Sequence, residues 1–147
     1  MMRTPKRNTR KRDGGFTLIE VLIAMGVVGI AVLGLAELFV LSVKNNLRSD
    51  RITNASFLAQ ERIDFLRGLT SSELSAMEGN PTDELINTNG DAFNDFRRIT
   101  VILSTGTNWE IRVLVYSAER LTEPINQLIL NPARYGSRAD TSTLISR

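Results

Sequence analysis

Residues 15–43 read G-F-T-L-I-E-V-L-I-A-M-G-V-V-G-I-A-V-L-G-L-A-E-L-F-V-L-S-V. From 21 to 36 the run has no charged or strongly polar side chain, and beyond Glu37 it stays apolar to Val43. A helix rises about 1.5 Å per residue, so a run of this length crosses the roughly 30 Å hydrocarbon core of a bilayer. It is too long to serve as the core of a soluble domain in a chain of 147 residues. Glu20 sits at its front edge. A carboxylate is costly in lipid, so Glu20 either lies at the interface or has a task of its own.

The preceding segment orients this run. Arg3, Lys6, Arg7, Arg10, Lys11 and Arg12 stand against one acid, Asp13. Cations flanking an apolar segment stay on the cytoplasmic side, so the chain after Val43 is expected outside, in a periplasm. The leader holds six of the 18 Lys and Arg residues but one of the 16 acids, which leaves the remainder formally −3 within a chain of +2. The basicity belongs to the leader and is no argument for a nucleic-acid partner.

The junction Lys11-Arg12-Asp13-Gly14-Gly15-Phe16-Thr17-Leu18-Ile19-Glu20 resembles the class III signal of type IV prepilins and type II secretion pseudopilins. In that family a basic leader and a Gly precede F-T-L-[IL]-E, which opens an apolar helix. The resemblance implies cleavage by prepilin peptidase between Gly15 and Phe16, followed by N-methylation of Phe16. It covers roughly the first third of the chain. Gly15 has no side chain to keep a protease from the backbone. Glu20 matches the family's glutamate at the fifth mature position. Buried among packed helices, it needs a partner, and the resemblance implies the amine of Phe16 on a neighbouring subunit, a contact that sets register. Near a helix N-terminus an acid is also favoured by the dipole alone.

Two rival readings account for the same run. One is a secretory signal peptide ending at Gly34-Leu35-Ala36, although its apolar region is long and Glu20 interrupts it. The other is a plain signal anchor, which leaves G-F-T-L-I-E unexplained. Within the run, Gly26, Gly29 and Gly34 suit close helix–helix packing but are also common in membrane helices generally. Glu37, about 25 Å along the helix from Glu20, is placed either near the outer interface or against a basic group on a neighbour.

The chain has no Cys and no His. This removes any disulfide, the thiol nucleophile, the commonest general base and most transition-metal ligands. No catalytic spacing of Ser, Thr or carboxylates stands out, so the chain reads as a non-enzyme without cofactor or metal. A transmembrane helix is expected over residues 16–43, after a cleaved leader at 1–15. An amphipathic continuation follows over 44–69, where Ile52, Ala55, Ala59, Ile63 and Leu66 mark one face and Phe57, Leu58, Phe65 and Leu69 widen it.

Residues 70–96 are rich in Asn, Asp, Ser and Gly and read as a solvated acidic loop, with a short helical turn near 73–78. Their acids lack the order of a calcium loop. A small antiparallel sheet is expected over 97–130. Residues 97–103 and 109–117 form its hairpin around the turn at 104–108, with Ile99, Val101 and Leu103 opposing Ile111, Val113 and Val115. Trp109 and Tyr116 read as edge or core aromatics. The apolar patch Ile125–Leu130 fits a further strand, and 131–147 reads as a polar tail, frayed from Tyr135 onward.

The fold class expected is therefore α+β: a long N-terminal helix packed on a small antiparallel sheet, pilin-like. A-S-F-L-A-Q-E-R-I-D-F-L-R over residues 55–67 is similar to PilV-type minor pilins and to the minor pseudopilin I of type II secretion. This implies a structural minor subunit, acting in filament initiation or priming. Its expected partners are prepilin peptidase, other pilin or pseudopilin subunits and inner-membrane lipid.

Overall fold

The computed structural model describes residues 15–146. Residues 1–14 of the leader, and Arg147 of the expected tail, lie outside the described residues. The elements in order are α1 (Leu18–Gly68), α2 (Ser71–Met77), β1 (Thr82–Ile86), β2 (Phe96–Thr105), β3 (Asn108–Ser117), α3 (Ile125–Leu130) and β4 (Ala139–Ser146), with a short 3-10 turn at Ala118–Arg120. The chain divides into two compact units, Met1–Val43 and Lys44–Arg147. The architecture is α+β, a long N-terminal helix with a four-stranded antiparallel sheet ordered β1-β2-β3-β4.

In the first unit every described side chain is exposed. This part of α1 meets the length and hydropathy needed to cross a membrane. None of its described residues is buried, so its apolar surface calls for cover from outside the segment.

The second unit is built around the sheet. Ala55, Leu58, Ala59, Ile63 and Leu66 of α1 pack with Leu74 of α2 against Phe96, Ile102, Trp109, Ile111, Val113, Val115 and Ile145. These α1 positions fall three or four apart and form one stripe. The stripe is narrower than the sequence suggests, because Ile52, Phe57 and Phe65 are exposed. Phe65 instead lies 5.3 Å from the Arg62 guanidinium, an attraction between a cation and the ring face. The opposite face of the sheet is also buried. There Ile99, Leu114 and Tyr116 pack with Leu128 of α3, flanked by Val101, Ile125, Ile129 and Tyr135.

The β2–β3 register corrects the expected facing. Thr100 pairs with Val113 and Ile102 with Ile111, whereas Ile99 pairs with Leu114 and Leu103 with Glu110. Directly paired residues share a face, so Ile111, Val113 and Val115 lie on the α1 side while Ile99 and Val101 lie on the other. Both faces of this hairpin are covered, so its apolar residues do not alternate with polar ones and the sequence carries no face signal. Thr105 pairs with Asn108 around a two-residue loop in which Gly106 has φ +69°. That conformation matches the first central position of a type II′ hairpin turn.

Three further segments depart from expectation. Residues 82–86 were expected within a loop but form β1. This edge strand has poor intrinsic β-formers in Asp83 and Glu84, and cross-strand ion pairs offset them. Arg97 grips Asp83 through Nε and Nη2, both at 2.9 Å, while its Nη1 donates to the carbonyls of Arg120, Leu121 and Glu123. On the other face Arg98 donates to Glu84 at 2.8 Å and to the Leu58 carbonyl of α1 at 3.0 Å. Arg62 adds a 3.4 Å contact to Glu84. Burial pushes the Arg62 guanidinium below its ordinary pKa, against the pull of Glu84.

The patch expected as a strand at Ile125–Leu130 is the helix α3. Ile125, Leu128 and Ile129 fall at i, i+3 and i+4 and turn one side onto the sheet. The tail expected to fray holds β4, paired to β3 along its length. Its inward residues Thr141, Thr143 and Ile145 alternate with exposed ones, and Asp140 takes a two-pronged contact from Arg112 at 2.9 and 2.7 Å.

The acids of residues 70–96 are largely solvent-exposed, as expected, but several of them also hydrogen-bond within the fold. Thr70 and Glu73 form a reciprocal capping box on α2. Glu78 accepts from the Ser104 amide at 3.1 Å. Asp95 accepts from the Thr88 hydroxyl at 2.6 Å and the Thr88 amide at 2.8 Å. Tyr116 is fully buried, donates to the Leu128 carbonyl at 2.7 Å, and has its phenol pushed up to about 12 by burial.

Two predictions follow from this packing. Arg97→Met leaves Asp83 and three carbonyls without their donor and should cost about 2–4 kcal/mol, below the full range for a buried pair because Asp83 is partly exposed. Chemical denaturation followed by circular dichroism measures it. The Thr88 hydrogen bonds hold the Asp95 carboxyl below its usual pKa. A depressed folded-state value stabilises the fold above the unfolded pKa of about 3.9, and that contribution fades as pH falls through the folded value. Asp95→Asn should therefore lose less melting temperature than the parent protein between about pH 5 and pH 3.

Candidate functional site

The residues singled out by the junction motif lie together at the start of α1. Gly15, Phe16 and Thr17 precede the helix, whose first residue is Leu18. Thr17 caps it. Its carbonyl accepts from the Glu20 and Val21 amides at 3.1 and 3.2 Å, and its hydroxyl accepts from the Glu20 amide at 3.3 Å. These bonds satisfy amides that a helix start leaves open. Glu20 falls in the first turn, where the helix dipole favours an acid.

The Gly15–Phe16 bond lies in exposed, non-helical backbone, and the Phe16 side chain is exposed. A Cβ built on Gly15 would meet nothing within 4 Å. The fold does not require glycine here, so the requirement, where one exists, comes from whatever approaches the backbone. The same holds for Gly26, Gly29 and Gly34, whose Cβ positions are all open within this chain.

Phe16, Glu20, Val21, Ala24, Met25, Val28 and Gly29 line a shallow groove of about 550 Å³ along one side of this segment. Among the described residues that line it, Glu20 alone is ionisable. The positions repeat at helical spacing and present a carboxylate at one end of an apolar trough. Such a surface suits an apolar helix that brings a cation to the level of Glu20. Glu37 is exposed farther along α1 and lines none of this groove.

Trp109 and Tyr116, expected as edge or core aromatics, are both core residues of the second unit. Sequence reading missed Arg97 and Arg98. Two adjacent arginines entering a β-branched run were the available signal, since neighbours in a strand point to opposite faces and each must find its own acid.

Residues 10–36 match the family described as the prokaryotic N-terminal methylation motif. No curated protein and no solved structure matches the chain. The match covers Gly15, Phe16 and Glu20 together with most of the apolar run. The chain therefore carries the N-terminal methylation signal of prepilin-type proteins ahead of an α+β, pilin-like fold.

Proposed function

We propose that this chain is a minor structural subunit of a type IV pilus or a related filament, assembled through its N-terminal helix and acting in filament initiation. The observation that carries the reading is the conjunction of the methylation motif with a membrane-length helix segment in which no described residue is buried. The A-S-F-L-A-Q-E-R-I-D-F-L-R stretch and the absence of cysteine favour a minor subunit over a major one. The role is structural rather than enzymatic.

Prepilin peptidase hydrolyses the Gly15–Phe16 amide and frees the Phe16 amine, which then accepts one methyl group. A methylated secondary amine remains protonated at neutral pH and keeps its charge. Membrane lipid covers the apolar segment until assembly, when neighbouring helices replace it. The Phe16 ammonium of one subunit then meets Glu20 of the next, in surroundings of low dielectric. A misaligned neighbour would leave both charges buried and unpaired, so the pair selects axial register. The leader stays cytoplasmic and residues 44–147 face the periplasm.

Intact mass and N-terminal sequence of the protein from membranes test this reading. A chain beginning at Phe16 with one added methyl is expected. A chain beginning at Glu37 would identify a secretory signal peptide, and an uncut Met1 a plain signal anchor. Gly15→Val should abolish processing without changing the melting of the second unit, since its side chain meets nothing in the fold. Glu20→Leu should be processed normally, yet enter filaments at least about tenfold less, a loss of roughly 1.4 kcal/mol or more per contact.

A further inference from the structure

Outside the N-terminal segment, the described residues hold one concentration of charge that the fold leaves unbalanced. Lys44, Arg48 and Arg51 of α1 line a cleft of about 400 Å³ together with Leu47 and Arg138. The three α1 cations stand at i, i+4 and i+7, on one face of the helix. Arg138 comes from far along the chain, one residue before β4, where its amide donates to the Val115 carbonyl at 2.8 Å. Its side-chain Nε is buried without a hydrogen-bond partner.

Compensation is slight. Arg51 approaches Glu119 at 3.9 Å with both side chains well exposed, a contact worth little in solvent. Arg51 also helps lower the Asp95 pKa, as the weakest of several causes, so part of its field falls on that carboxylate. Among the described residues, no carboxylate lies within ion-pair distance of Lys44, Arg48 or Arg138. Cations gathered on one cleft repel one another, and an anion in their midst reverses that cost. Three guanidinium forks beside an ammonium suit a phosphate in particular.

The source of the phosphate follows from chain position. Lys44 directly follows the apolar run. From Lys44 to Arg51 the helix advances about 10 Å, comparable with the roughly 5–8 Å headgroup layer on each side of a bilayer core. Snorkelling would account for lysine and arginine just past a membrane helix. It does not account for Arg138, which the sheet delivers to the same cleft. We propose that Lys44, Arg48, Arg51 and Arg138 form a binding site for the phosphate of an anionic phospholipid headgroup, with Leu47 and the aliphatic stems of the cations meeting its glycerol backbone. This rests on the membrane-anchored reading and adds a lipid ligand to it. The six leader cations still outnumber the three on α1, so the site does not disturb the expected orientation.

The test uses the full chain purified in a zwitterionic detergent, with binding followed by native mass spectrometry. Short-chain phosphatidylglycerol should bind more tightly than phosphatidylcholine of the same chain length and more tightly than inorganic phosphate. Arg48→Gln and Arg138→Gln should each weaken phosphatidylglycerol binding about fivefold, and the double variant about 25-fold. Arg138→Lys, which keeps the charge, should weaken it less than Arg138→Gln. If Arg138→Gln melts early, Lys44→Gln with Arg48→Gln, both on the exposed helix surface, serves in its place.

Equal binding of phosphatidylcholine, or affinity unmoved by these variants, would overturn the site. Inorganic phosphate binding as tightly as the lipid, and lost in the variants, would overturn the lipid as its ligand. Alkaline carbonate extraction separates the two readings. Release of the chain from membranes overturns the anchored reading, whereas retention without phosphatidylglycerol selectivity overturns the cleft alone.

Discussion

Burial of the stripe Ala55, Leu58, Ala59, Ile63 and Leu66 against one face of the sheet is the contact on which the second unit depends. The two alanines bring the helix backbone close, while Leu58, Ile63 and Leu66 pack against the apolar side chains of the sheet. Each large apolar side chain fully buried in this way contributes about 1.5–3 kcal/mol before conformational entropy is charged against it. A single sheet has two faces and can shield neither by itself. Here α1 and α2 cover one, and α3 with the segment near Tyr135 covers the other. Every later element of the chain thus serves to close a surface that the β2–β3 hairpin leaves open.

Charge does the corresponding work at the edge. Arg97 and Arg98 point to opposite faces of β2, and each takes one acid of β1. One ties β1 to the 120–123 turn, the other ties it to α1. The ion pairs thus lock the shortest strand to two different layers, where the loss of either arginine would leave an acid and backbone carbonyls short of donors. The cleft lined by Lys44, Arg48, Arg51 and Arg138 has the opposite character: its cations find little compensation among the described residues.

The apolar segment follows a different logic from the rest of the protein. Its side chains are exposed, its glycines have open space where a Cβ would stand, and a groove along it joins Glu20 to an apolar trough. Nothing in the stability of the folded unit calls for these residues. Under the proposed function, what calls for them acts from outside: lipid for the apolar surface, a peptidase for the bare backbone at Gly15, and another helix for the groove. This agrees with the match of residues 10–36 to a methylation motif.

The membrane-length run, the processing signal, the amphipathic stripe of α1 and the hairpin turn at Gly106 were legible because each is written in neighbouring residues: unbroken hydropathy, a short motif, a 3.6-residue period, a glycine at a tight turn. The β4 alternation of Thr141, Thr143 and Ile145 was legible too, but it lay beneath a polar composition that suggested a tail. Other features were settled by partners distant in sequence. Asp83 and Glu84 form a strand only because Arg97 and Arg98 arrive beside them, and the facing of Ile99 against Ile111 depends on a register that two-sided burial hides. The sequence alone thus determined the N-terminal signal, the apolar helix and the α+β class, since these rest on local pattern. Tertiary structure decided the strand count, the register and the meeting of Arg138 with Lys44 and Arg48, because pairing and burial are set by which distant segments close each face.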